Sequence, residues 1–593
     1  MTKASAAAEL NRLMREAEAH FVADRLSAAR RTLDQILRAV PSHPAVLHLY
    51  GLTLSKLGEL NAARRALEAA HAGLPRDPTI ANNLGNLLGR LNAKASALAA
   101  YDAAIAAAPG FAPAHLNRAI TLGELGHFAQ AREAFAALAE IEAPTANTLV
   151  AIASLERDSG HLEDAAATLD GILFEDRSNA VARNARARIA LDMGEEDAAD
   201  RYREALSAEP GNRDMLLGYI DAAETPHARH DALDRVARLL VAAPDWLDGH
   251  RALSTALWED GEHGRFAASY TSALGSRPRD AMLWKGYIEA LGKIDRFADA
   301  ADLCREAASA TGDPAFLASA FSYWSAAGEI AKAEELLALL PAGALSPLIR
   351  AKHRLRWKDP AAAEPLLAQA TTNDDIEAWA LRGLAWQLLG DPRFEWLNCQ
   401  DGLIQVQDLP LSSTDIADIA ARLRAIHLRS TARAGQSLRG GTQTGGDLLD
   451  RREPEIKMLG TVLRHAVERY RLAMPPADPR HPLLKHRDSR FVIAGSWSIR
   501  LIDGGFHVQH VHPKGMVSSA SYWSLPTPMS PHGQAGWLEI GGAPAYLGLD
   551  IEPMLRIEPA LGRVALFPST LHHGTRPFPS GERMSVAFDI GVG

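Results

Sequence analysis

Residues 44–77 read PAVLHLYGLTLSKLGELNAARRALEAAHAGLPRD, and the reading of this stretch decides the fold of the longer part of the chain. Apolar residues recur at three- and four-residue spacing on both sides of Gly58, the pattern of two amphipathic helices joined by a tight turn. Gly58, Asn92, Gly126, Gly160 and Gly194 follow one another at a constant step of 34 residues. Ala63, Ala97, Ala131, Ala165 and Ala199 keep the same step, as do Leu67, Tyr101, Phe135 and Leu169, and as do Pro41, Pro75 and Pro109. Columns held at this period belong to stacked helical hairpins. Glycine makes the turn, the small alanine lets the paired helices approach, and proline follows the end of the second helix.

Within 44–77, Leu47, Tyr50, Gly51, Leu54, Ala63, Leu67, Ala70 and Pro75 stand where the tetratricopeptide repeat family places its large, small and proline positions. The stretch resembles that family closely. The match is regular from about residue 10 to 210 and looser to about 395, where Gly261, Gly292 and Gly328 precede alanine-rich second helices. The resemblance implies an all-α solenoid over residues 1–400, whose concave side is free to hold an extended protein or peptide partner. The plainer alternative is that the solenoid spaces, dimerises or solubilises the carboxy-terminal part of the chain.

A chain of 593 residues is too long for one hydrophobic core, so several domains are expected. With 47% hydrophobic and 23% charged residues it has the composition of an ordinary folded protein. A net charge of −9 offers no overall attraction to phosphate backbones or anionic membranes, so nucleic acid and membrane are not expected partners. No oligomeric state is read from it. Cys304 and Cys399 lie far apart and outside any CxxC spacing, which excludes a disulfide framework and a zinc-thiolate site. Glu9, Arg12, Arg15 and Glu16 interrupt the amino-terminal segment, and no stretch reaches the ~18 apolar residues of a membrane span. A cytoplasmic location is expected.

Near residue 400 the pattern changes. LIQVQDL (403–409) is a short alternating run, after which glycine, proline and histidine become commoner. Residues 415–427 and 454–472 still read as amphipathic helices, the second with Ile456, Leu459, Leu463, Val467 and Tyr470 at helical spacing behind Pro454. Between them QSLRGGTQT (436–444) reads as a polar, flexible segment able to border a site, with Arg439 and Gln443 as candidate substrate contacts or as parts of a plain surface loop. From Phe491 onward FVIAGSWSIRLI, SSASYWSLP, GWLEIGG, RVALFPS and RMSVAFDIGV alternate with turn residues, the pattern of a β-barrel or jelly roll.

In FHVQHVHP (506–513) His510 and His512 lie two apart, on one face of a strand, where both imidazoles can reach one metal. His572 and His573 follow the strand RVALF about 60 residues later, and imidazole suits Fe(II). Arg583 and Ser585 form an RxS on the last strand, a pair able to bind the far end of a dicarboxylate through the guanidinium and the hydroxyl.

GGFHVQHVHPKG, SSASYW, AGWLEIGGAP, the strand ending LFPS, HHGTRPF and ERMSVAFD resemble, in family order, the double-stranded β-helix of 2-oxoglutarate-dependent Fe(II) oxygenases of the prolyl-hydroxylase branch. The resemblance implies a multidomain protein, with an α+β double-stranded β-helix domain over 401–593 whose β core starts at about 491. It implies Fe(II) and 2-oxoglutarate as cofactors, with His510 and His573 on iron, Arg583 and Ser585 on the cosubstrate, and Tyr522 placed to hydrogen-bond it or to serve as a core tyrosine. His512 replaces the usual carboxylate ligand, leaving a three-histidine site or two histidines with water in the third place. His507, Asp503 and His572 miss either the two-residue phase or the family position. The implied activity is hydroxylation of a protein or peptide side chain. A three-histidine cupin-type dioxygenase acting on a small molecule without 2-oxoglutarate, and a non-catalytic repeat scaffold, are the competing readings.

Overall fold

In the computed structural model the described residues are 3–373, 375–427, 437–444, 447–451, 453–513, 515–526 and 533–593. Gln436 and Lys514, quoted above, lie outside them. The chain divides into two compact units, Met1–Ile189 and Ala190–Gly593.

The first unit is built of helical hairpins, among them Pro44–Lys56 with Leu60–Gly73, Pro78–Arg90 with Lys94–Ala107, Ala112–Glu124 with Phe128–Ala139, and Ala146–Asp158 with Leu162–Glu175. Gly58, Asn92, Gly126 and Gly160 make the turns with positive φ, and Gly194 continues the column. Asn92 holds φ 58°, a left-handed conformation that asparagine tolerates better than most residues. Asp24, one step before Gly58, has φ 55° and extends the column to the first hairpin. Ala63, Ala97, Ala131 and Ala165 have no exposed surface, and the column Leu67, Tyr101, Phe135, Leu169 is buried beside them. Gly51 and Gly85, also one step apart, let the first helix of a hairpin lie against the second. A Cβ at Gly85 would stand 2.4 Å from Tyr101 Cε1, so only glycine fits there without movement of the ring.

In the second unit the columns drift. The helix after Gly194 starts at Ala198, and Ala198 and Tyr202 are buried where Ala199 was expected, a slip of one residue. Gly261 (φ 77°) and Gly328 (φ 80°) are turn residues, but Gly292 lies within the helix Ala281–Lys293, and Asp295 (φ 60°) makes that turn. Gly292 serves close packing instead, because a Cβ there would stand 2.8 Å from Tyr323 Cε1. The last helix of this run, Arg393–Asn398, precedes the first strand at Gln405.

Among the described residues nine antiparallel strands come next: β1 (Gln405–Asp408), β2 (Leu438–Gln443), β3 (Phe491–His510), β4 (Val517–Ser524), β5 (Leu538–Ile540), β6 (Leu555–Ile557), β7 (Arg563–Pro568), β8 (His573–Thr575) and β9 (Glu582–Val592). Their order is β1-β7-β4-β9-β3-β8-β5-β6, with β2 against β3. Within the polar segment Leu438–Gln443 is thus strand where a flexible stretch was expected, paired through Leu438↔His507 and Gln443↔Ile499. Strand β3 pairs with β9 along Phe491–Ile502, turns at Asp503 (φ 29°) and Gly504 (φ 83°), and then pairs with β8 at His507 and His510. One strand therefore belongs to both faces of a jelly roll.

Side chains alternate across these strands with period two. Val564, Leu566, Val586, Phe588 and Ile590 pack against Leu459, Leu463, Val467 and Tyr470 of the helix Pro454–Ala473. Ala565 and Phe567 face the other way, with Leu538, Ile540 and Ile557. The helix Ser413–Ala425 joins the same core and opens with a capping box in which Ser412 Oγ accepts from the Asp415 backbone N–H, while the Asp415 carboxylate accepts from that of Ser412. Later repeats pack directly on this domain: Leu355, Leu381 and Leu384 share a cluster with Leu547, and Arg356 Nε donates to the Tyr546 carbonyl at 3.1 Å.

The turn column is testable at its one asparagine. Asn92→Val should lower stability by about 1–2 kcal/mol, because a β-branched residue cannot rest at this φ, while Asn92→Gly should leave it nearly unchanged. Denaturant midpoints of the full chain check the expectation.

Candidate metal centre

The bend in β3 carries His510 to the end of the strand and His512 just beyond it, while His573 opens β8 directly opposite, in register with His510. One nitrogen from each of the three rings falls within 4.8 Å of the others. The ring centroids are 4.4–5.0 Å apart.

The second nitrogen of each ring is anchored to an oxygen. His510 Nδ1 lies 2.8 Å from the Val508 carbonyl, His573 Nδ1 lies 3.2 Å from the Leu571 carbonyl, and His512 Nδ1 lies 2.5 Å from the Asp589 carboxylate. These oxygens only accept, so each Nδ1 carries a proton, and the neutral rings of His510 and His573 each keep an Nε2 lone pair. His510 Nε2 and His512 Nε2 stand 3.0 Å apart. Burial pushes the pKa of His510 down to about 3 and those of His573 and His507 well below the ordinary imidazole value, with the neighbouring rings adding to the effect. Neutral imidazole is the form that binds metal. The donor set thus fits a divalent metal such as Fe(II), with Asp589 orienting His512 from behind.

The cluster lines a cavity of about 280 Å³ together with Arg583, Ser585, Gln443, Trp497 and Thr575. Arg583 is 2% exposed, its guanidinium lies 5.0 Å from the Tyr522 ring centre, and its Nε has no hydrogen-bond partner. Among the described residues no carboxylate pairs with it. Burial pushes its pKa below the usual arginine value, yet a guanidinium stays charged at neutral pH. An unpaired buried charge costs several kcal/mol, so the cavity favours an anion there. Ser585 lies two residues along the same face of β9, and beside it Tyr522 is wholly buried, its pKa raised by burial and held back by the Arg583 guanidinium.

Five of the six residues expected at the metal and cosubstrate, His510, His512, His573, Arg583 and Ser585, line one cavity together with Gln443, while Tyr522 lies outside its lining, against the Arg583 guanidinium. Arg439 does not line it. It faces a second cavity and pairs with Asp295 at 2.9 Å. Of the dismissed residues, His507 meets Ser437 Oγ at 2.9 Å, Asp503 Oδ1 accepts from the Gly581 backbone N–H, and His572 faces the second cavity. Asp589 escaped the sequence reading. Its signal was present, since Arg583, Ser585, Ala587 and Asp589 follow at period two on one strand face.

Two family models match the chain: the one described as "Putative 2OG-Fe(II) oxygenase" over residues 495–589, and the tetratricopeptide repeat over residues 51–111 and 251–314. A Sinorhizobium fredii protein described as "Uncharacterized protein y4yS" is 30% identical over 106 residues, which is 18% of this chain and 58% of that protein. The chain thus spans little more than half the length of this relative. A tetratricopeptide repeat protein from Parabacteroides merdae aligns over 42% of this chain and 98% of its own, at 16% identity and a TM-score of 0.38. A thermophilic tetratricopeptide protein of Thermus thermophilus aligns over 31% and 99%, at 23% identity and a TM-score of 0.27. By the two family models the chain carries tetratricopeptide repeats and, towards its carboxy-terminal end, a domain of the kind described as "Putative 2OG-Fe(II) oxygenase". No helix among the described residues is long and apolar enough to cross a membrane.

His510→Ala and His573→Ala should each abolish binding of about one Fe(II) per chain, measured by anaerobic titration. Asp589→Ala should weaken binding by about 10- to 100-fold, the usual effect of removing the partner that orients a ligating imidazole. Full iron retention in all three would place the metal elsewhere.

Proposed function

We propose that the protein is an Fe(II)- and 2-oxoglutarate-dependent dioxygenase that hydroxylates a side chain of a protein or peptide. The observation that carries this reading is the buried, carboxylate-free Arg583 in the same cavity as the three histidines. His510, His512 and His573 would hold the iron, and Arg583 with Ser585 would hold the distal carboxylate of 2-oxoglutarate. When bound, iron and 2-oxoglutarate together activate dioxygen, releasing succinate and carbon dioxide and leaving one oxygen atom for a C–H bond. The chain's own part is placement. Anchored Nδ1 atoms keep three Nε2 lone pairs aimed at one point, and the unpaired guanidinium selects a dianionic cosubstrate and sets its direction. Trp497, Ile499 and Leu538 wall the cavity with apolar surface and limit water.

The third histidine is the one observation favouring a cupin-type dioxygenase that needs no 2-oxoglutarate. That reading leaves Arg583 and Ser585 without a task, and a non-catalytic scaffold leaves the whole cavity without one. The two chemistries separate at Arg583. In Arg583→Leu the histidines are intact and iron content should hardly change, whereas 2-oxoglutarate affinity should fall by about 30- to 1,000-fold, or about 2–4 kcal/mol. The measurement is succinate formation against 2-oxoglutarate concentration in proteins loaded equally with Fe(II). No succinate from the wild type, or an unaltered affinity in the variant, moves the assignment to the cupin reading.

A further inference from the structure

A second cavity, of about 610 Å³, lies beside the first within the carboxy-terminal compact unit. Its walls come from two distant parts of the chain. Trp258, Lys293, Asp295 and Glu377 belong to the later helical repeats, while Arg439 and Gln509 belong to β2 and β3. Ser437 and His510 line both cavities, so the histidine cluster is reached from this vestibule.

The vestibule's charges are largely spent on one another. Asp295 pairs with Arg439 at 2.9 Å and Glu377 with Lys352 at 2.7 Å, which leaves Lys293 exposed at the rim as the one lining cation without an ion pair among the described residues. A small charged metabolite needs convergent opposite charge to be held in so large a space. The inner end is different. Gln509 Oε1 and His507 Nε2 are buried there without hydrogen-bond partners, in the neck between vestibule and metal. Gln509 Oε1 accepts a hydrogen bond and His507 Nε2 accepts or donates one according to its tautomer, and a ligand carrying uncharged N–H and C=O groups satisfies both at low cost. A polypeptide offers such a donor at almost every residue and gains its affinity from contact area rather than charge.

We propose that the later repeats form one wall of the active site itself. The vestibule takes an uncharged polypeptide segment lying between the helix Ala281–Lys293 and β2, and the reacting residue passes Gln509 and His507 to reach the histidine cavity. Rather than only recruiting a partner at a distance, the repeats decide which side chain reaches the metal. The inference rests on the oxygenase reading above and assigns where its substrate sits.

The test uses the full chain loaded with Fe(II), 2-oxoglutarate and a mixture of short synthetic peptides with capped termini, compared with a mixture of free amino acids. Mass spectrometry reads the gain of one oxygen atom. Capped peptides should be oxidised and free amino acids should not. Lys293→Trp, which narrows the vestibule from the repeat side at an exposed position, should raise the KM of the best peptide by about tenfold or more. Gln509→Leu, which removes the neck acceptor, should raise it similarly. Titration with 2-oxoglutarate in parallel should return the wild-type affinity in Lys293→Trp, showing an intact inner cavity. Oxidation of free amino acids as readily as peptides overturns the proposal. So does a failure to oxidise any peptide by protein that binds 2-oxoglutarate, or an unchanged peptide KM in both variants. A wild type that does not bind 2-oxoglutarate is a different result, and it removes the oxygenase reading together with this inference.

Discussion

The register of β9 is the constraint on which the rest of the carboxy-terminal unit depends. Its outer face, Met584, Val586, Phe588 and Ile590, is fully buried against the helix Pro454–Ala473 and its neighbours. Fully burying one such side chain stabilises by about 1.5–3 kcal/mol, so slipping the strand by one residue would turn this row into the cavity and drive the polar row into the apolar core. The apolar face therefore locks the inner face, where Arg583 and Ser585 border the cavity and Asp589 holds His512. A hydrophobic contact on one side of a strand thus sets the direction of a charge on the other.

The histidine cluster shows how a carboxylate can act from behind a ligand position. His512 stands where an acidic ligand was expected, and the acid is present nearby as Asp589, hydrogen-bonded to His512 Nδ1. An acceptor of full negative charge raises the basicity of the imidazole it orients. We propose that three imidazole ligands, which bring no negative charge, leave the metal's positive charge to be met by an anionic cosubstrate, which Arg583 beside them would attract as well.

The repeats carry a second constraint, the left-handed turn. Where the column of Gly58, Asn92, Gly126, Gly160 and Gly194 holds its period, the hairpins follow at one spacing. Beyond Gly194 the period drifts, and the turn passes to other residues such as Asp295. That drift has a structural counterpart, because the irregular repeats are those that pack on the β domain through Leu355, Leu384, Arg356 and Asp295.

By itself the sequence determined what has a period. Helical hairpins at a step of 34 residues, strands at a step of two, His510 and His512 two residues apart and Arg583 with Ser585 on one strand all follow from local repetition of side-chain direction. The class of fold and the members of the histidine cluster were legible for that reason. Tertiary structure alone decided what joins distant parts of the chain: Asp589 to His512 across 77 residues, Asp295 to Arg439 across 144, and β2 as a strand where polar composition suggested a loop. It also decided that Gly292 packs against Tyr323 rather than turning the chain. Such contacts depend on how far a strand bends and how far a repeat drifts, small rotations summed over many residues, and no spacing along the sequence records the sum.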